Sequence, residues 1–114
     1  MAAYAQAESP YGVIQVEANL MMPMPDGVRL ATDIYRPSRV GAPVDEQFPV
    51  LLQRTPYNKT GARLVESAKF FAQNGYVVVL QDHRGRFASE GEFTKYIGEG
   101  QDSYDTIEYI AELP

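Results

Sequence analysis

At 114 residues, with 45% apolar side chains and a mean hydropathy of −0.30, the chain has the size and composition of one soluble globular domain. Ten Lys/Arg against fifteen Asp/Glu leave a net charge of −5, which argues against nucleic acid or an anionic membrane as partner, since both need basic surface. Cysteine is absent and His83 is the single imidazole, so no disulfide framework, no thiol nucleophile, no metal site and no cofactor are expected. The first basic residue is Arg29 and the longest clean apolar run is Tyr76 to Leu80. Neither a charged leader nor a membrane span is expected, and the cytoplasm is the default location.

Residues 1–12 are small and polar and predict a flexible lead-in, with residues 13–114 as the structured unit. From Ile14, the apolar residues Ile14, Val16, Ala18, Leu20 and Met22 alternate with polar ones, the period of a half-buried strand. Pro25-Asp26-Gly27 marks a turn. Val28, Leu30 and Ile34 continue a second strand to Arg36-Pro37, giving an antiparallel hairpin. Residues 38–47 read as a polar loop. Phe48 to Leu52 is apolar without alternation, which predicts a strand covered on both faces. Arg54 to Lys59 reads as loop. Leu64, Val65, Ala68, Phe71 and Ala72 then share one helical face, and Asn74-Gly75 closes that helix. Tyr76 to Leu80 is a second continuous strand, followed by a loop to Gly98. A last helix over about 101–113 is expected to turn Tyr104, Ile107, Ile110 and Ala111 inward.

Two continuous strands joined by a helix make a right-handed parallel unit, so the class is α/β: an antiparallel hairpin, then parallel β-α-β-α. The last helix has a face to bury and no following strand, which predicts an incomplete sheet. Charge is uneven as well. Between Glu90 and Glu112 seven acids stand against Lys95 alone, leaving the first 89 residues at +1. The acidic stretch reads as a solvated helix face, with its first acids favoured by the helix dipole.

Hydrolytic chemistry needs a Ser or Thr beside a base held by an acid. Ser9, Ser38, Ser67, Ser89 and Ser103 all lie outside any Gly-x-Ser-x-Gly elbow, and His83 is the one candidate base. Gly85, Gly91, Gly98 and Gly100 fit no phosphate-cradling pattern. Glu90 and Glu92 are close in sequence, with nothing to mark them as acid and base. Phe70, Phe71 and Tyr76 read as core, and packing is the reading for Phe87 and Phe93. On the residues alone, a small α/β ligand- or protein-binding module without chemistry stays open.

The run from Met24 to Pro37 resembles the opening hairpin of the CocE/NonD hydrolases, the cocaine esterase and X-prolyl dipeptidyl-peptidase group. Three further blocks match in order: Arg54-Thr55-Pro56-Tyr57-Asn58-Lys59, Gln81-Asp82-His83-Arg84-Gly85-Arg86, and Ser89-Glu90-Gly91-Glu92-Phe93. The helix from Gln101 to Ile110 agrees too, so the resemblance runs from about Val13 to Pro114. It implies the N-terminal part of an α/β-hydrolase fold and a serine hydrolase of acyl ester, amide or peptide bonds acting through an acyl-enzyme.

The family's nucleophile, acid and base have no counterpart in this chain, which is therefore expected to be inactive alone. His83 does not match the family's catalytic histidine. One catalytic residue carries over: Tyr57, whose phenol the resemblance assigns to the oxyanion hole. It follows a parallel strand, where ligands of α/β sheets gather, and a phenol is a neutral directional donor. Asp82, Arg84 and Gly85 are expected to fix the loop after the second parallel strand through hydrogen bonds.

Overall fold

The computed structural model describes residues 10–93 and 99–112. Strand β1 (Gly12–Pro23) pairs antiparallel with β2 (Arg29–Arg39), from Gly12 opposite Ser38 to Pro23 opposite Arg29. The connecting turn closes through Met24 N–H to Val28 O (2.8 Å) and Gly27 N–H to Met24 O (2.9 Å). Asp26 Oδ1 accepts the Val28 amide at 3.1 Å. The register shifts between Gln15 and Glu17 and again between Glu17 and Leu20. At the second shift Asn19 takes φ 54°, a bulge that re-aims its side chain.

A short strand β3 (Ala42–Pro43) folds back on the end of β2, inside the segment expected to be loop. Then come β4 (Val50–Thr55), helix α1 (Ala62–Gln73), β5 (Val77–Asp82) and helix α2 (Glu99–Ala111). The main sheet runs β1-β2-β5-β4, with β5 antiparallel to β2 and parallel to β4. The hairpin and the parallel β-α-β unit are those the sequence predicts.

Side-chain alternation divides the core between the two faces of the sheet. Tyr35, Val78 and Leu80 pack against Ala68 and Ala72 of α1. Ile34, Val77 and Val79 pack on the other face with Leu52, Phe48 and Ile110. Met22, Met24 and Leu30 extend that second core beneath Tyr109 and Ile110.

Several expectations need correction. Every residue of β5 is buried, but Val50 of β4 is 45% exposed and Leu51 and Leu52 are half-buried. The reason is position, since β5 lies between two strands and β4 is the last strand of the path. In α2 the inward residues are Asp102 and Thr106, with Tyr109 and Ile110 half-buried, whereas Tyr104, Ile107 and Ala111 are exposed. The acidic stretch is thus not wholly solvated. Phe71 is partly exposed, in an edge-to-face chain with Phe70 and Tyr76 rather than in the core. Of the lead-in, residues 1–9 lie outside the described residues. Tyr11 is held by its N–H on Gln73 O (3.2 Å), by Phe48 edge to face and by the Arg39 guanidinium over its ring.

Candidate functional site at the carboxyl ends of the parallel strands

Strands β4 and β5 end side by side, with Arg54 opposite Gln81 and Thr55 opposite Asp82. Because consecutive strand residues point to opposite faces, Gln81 and Asp82 open two separate polar networks. Both are buried, Gln81 completely and Asp82 to 1% exposure.

Gln81 faces the α2 side. Its Oε1 accepts from Arg54 Nε (2.6 Å) and Thr106 Oγ1 (3.0 Å), and its Nε2 donates to Thr32 Oγ1 (3.1 Å). Arg54 also donates to Ser103 Oγ at 3.1 Å. Arg84 completes this side through two bonds to Asp102, Nε to Oδ2 (3.0 Å) and Nη2 to Oδ1 (2.8 Å). Its Nη1 reaches Asp26 Oδ2 at 2.8 Å. Hydrogen bonding to Asp102, and then to Asp26, holds the Arg84 guanidinium still more firmly protonated than usual. Arg84 therefore ties the first hairpin turn to α2 through the loop after β5.

That loop is built around Gly85, at φ 73°, whose N–H donates to Glu90 O at 2.8 Å. A Cβ at Gly85 would overlap the backbone of Glu92 and Phe93, so glycine is required there. Ser89 is buried, its Oγ donating to Asp82 O (2.7 Å) while accepting the Ala31 amide (2.8 Å). Glu90 pairs with Arg29, Nη2 to Oε2 at 2.6 Å. The Arg29 side chain, and then the Arg29 amide, holds the Glu90 carboxyl below the usual carboxylate range. Glu90 is thus engaged with β2.

Asp82 faces the α1 side, where the loop after β4 crosses. Thr55 Oγ1 accepts the Tyr57 amide at 2.9 Å, and Arg86 Nε donates to Pro56 O at 2.9 Å. Arg86 itself lies over the rings of Phe87 and Phe93. Asn58 adopts φ 81°, with its Oδ1 accepting from the Thr60 amide and hydroxyl. Lys59 then turns inward. It is 2% exposed, its amide donates to Asp82 Oδ1 (2.8 Å), and its Nζ meets Asn19 Oδ1 (2.6 Å), Asp33 Oδ1 (3.2 Å) and Asp82 Oδ2 (3.8 Å).

Tyr57 stands outside these networks, 79% exposed. It lines a shallow recess of about 610 Å³ between the end of β4 and the start of α1, together with Gln53, Thr55, Asn58, Arg63 and Ser67. Ser67 is exposed on α1, Ser38 is buried, and the His83 amide donates to Thr55 O at 2.9 Å. Ser9 lies outside the described residues. Among the described residues no three carboxylate or imidazole groups are gathered as a metal site would need. No described helix is long and apolar enough to cross a membrane.

Lys59, Asp33 and Asn19 were not singled out by sequence reasoning. Their signal is faint: Asp33 is the one acid of β2, and Asn19 tolerates a left-handed backbone. Gln81 and Asp102 escaped because a polar residue facing a core carries no periodic mark.

A hairpin leading into a parallel β-α-β unit, with polar loops gathered at the strands' carboxyl ends, defines the class: an α/β fold with its loops where such folds bind ligands. The comparisons fix the family. Residues 26–114 match the X-Pro dipeptidyl-peptidase (S15) family, and the chain belongs to it. It is 48% identical over 105 residues to the cocaine esterase of Rhodococcus sp. (strain MB1 Bresler), covering 89% of this chain and 17% of that one. Among solved structures, an α-amino acid ester hydrolase superposes with a TM-score of 0.69 at 27% identity, over 93% of this chain and 20% of the other. A CocE/NonD family hydrolase from Staphylococcus aureus shares the fold, with a TM-score of 0.71 at 23% identity over 96% of this chain and 24% of that one. The chain thus spans a quarter or less of these relatives.

Proposed function

We propose that this chain supplies the oxyanion-binding part of a serine hydrolase acting on acyl ester, amide or peptide bonds. The base takes the serine proton as Oγ attacks the acyl carbon, which becomes tetrahedral while its oxygen becomes an oxyanion. That proton later passes to the leaving alcohol or amine. The Tyr57 phenol donates a hydrogen bond to the oxyanion, beside the backbone N–H after the nucleophile. Collapse expels the alcohol or amine and leaves an acyl-enzyme, which water hydrolyses by the same route. Nucleophile, acid and base come from outside these residues. Ser89, the serine of the family-like loop, has its hydroxyl committed to the backbone at both ends.

The observation that carries this reading is the placement of Tyr57: an exposed ring on a fixed backbone, just beyond the end of a parallel strand. The 48% identity to an esterase makes a graft practical, with this chain replacing the matching segment of the Rhodococcus enzyme. Losing one oxyanion donor lowers kcat about 100-fold or more, so Tyr57→Phe in the graft is expected to do the same with KM changed less than about twofold. Undiminished turnover in that variant overturns the reading. The 114-residue chain alone is expected to hydrolyse a chromogenic short-chain ester no faster than buffer.

A further inference from the structure

Buried ion pairs add little stability against apolar residues of the same volume, because desolvation offsets their attraction. Lys59 is such a case in strong form, since its ammonium is buried with two carboxylates, Asp33 and Asp82, at 3% and 1% exposure. What this cluster does provide is geometry. Its members come from β1, β2, the end of β5 and the loop after β4, and they converge on one nitrogen. That nitrogen belongs to the second residue after Tyr57.

The geometry points to Lys59 as the positioning residue for the Tyr57 phenol, a role that rests on the oxyanion reading above. The Lys59 amide fixes the backbone height of the loop on Asp82, and the ammonium fixes its lateral place over Asn19 and Asp33. Between anchor and phenol lies only Asn58, locked at φ 81° by its own bonds to Thr60. On the other side Thr55 and Arg86 hold the Tyr57 amide and the Pro56 carbonyl. The Tyr57 ring is largely exposed, so its placement depends on the backbone that carries it. The bulge at Asn19 serves the same end, because it turns the Asn19 carboxamide onto Lys59 while the Asn19 amide donates to Asp33 Oδ1 at 2.8 Å.

The test is a double-mutant cycle in the esterase graft. Asp33→Asn with Lys59→Met keeps the net charge of the cluster, and Asn19→Gly removes one acceptor without straining a positive φ, which guards against failure to fold. Misplacement by about 1 Å costs on the order of 100-fold, so the paired variant is expected to lose 10- to 100-fold in kcat with KM within about twofold. Asn19→Gly is expected to lose less. In a Tyr57→Phe background both changes are expected to cost under about twofold, because no phenol remains to misplace. Additive losses overturn the positioning role and leave the oxyanion role standing. A Tyr57→Phe graft with full turnover overturns both. Crystal structures of the parent and paired-variant grafts give a readout without turnover: a Tyr57 hydroxyl moved by about 1 Å or more supports the role, and an unmoved one overturns it.

Discussion

Val40 caps the β2–β3 hairpin at φ 54°, followed by Gly41 at φ 76°. Two consecutive positive φ values suit Asn-Gly far better than Val-Gly, since a β-branched side chain clashes in the left-handed region. The Val40 side chain is fully exposed and gives no packing in return. Val40→Asn is therefore expected to raise stability by about 1 kcal/mol, read as a higher urea midpoint at unchanged slope, and a lower midpoint would contradict the turn geometry. Gly85 is the opposite case. Its need for glycine follows from a positive φ and a crowded Cβ position, at a residue the sequence marks only as part of the loop after β5. Val40 was illegible because its residue type argues against the conformation it holds.

Helices and loops show how a periodic reading is outweighed by polar partners. The apolar residues Tyr104, Ile107 and Ala111 suggested an inner face for α2, yet Asp102 and Thr106 occupy it because Arg84 and Gln81 wait beneath. A sequence shows charges but not which pairs will meet. Removing one partner of a buried pair leaves the other uncompensated, so Asp102→Ala is expected to lower stability by about 3 kcal/mol, more than the same change at exposed Glu108. Equal losses in chemical denaturation would show that the Arg84 contact contributes nothing. The loop after β5 adds a pH dependence. Glu90 is held below the ordinary carboxylate value by Arg29, so its contribution is present above that value, about 4.3. It fades as acid brings the pH down through the lowered folded value. The Tm gap between the native chain and Glu90→Gln should accordingly be widest near neutrality and begin to narrow as the pH falls below about 4.3. A gap that widens in acid would reverse the assignment.

At the scale of the molecule, two similar apolar strands have different fates. Local sequence marked both β4 and β5 as buried, and only β5 is, because the order of strands in a sheet is a long-range fact with no local period. The α/β class and the order of elements were legible, since hairpin turn, helix period and glycine stop are all local signals. Among the described residues β4 pairs with β5 alone, which leaves its other edge without a strand partner there, beside the half-exposed Val50. An unprotected strand edge of this kind templates pairing with another chain. The 114-residue chain is therefore expected to self-associate, its weight-average mass in sedimentation velocity rising with concentration. A charge on the edge opposes such pairing, and Val50→Lys adds one at a half-exposed position of β4. That variant is expected to remain monomeric at concentrations where the parent does not. If the parent stays monomeric throughout, or Val50→Lys associates as readily, the open side of β4 is not the adhesive surface.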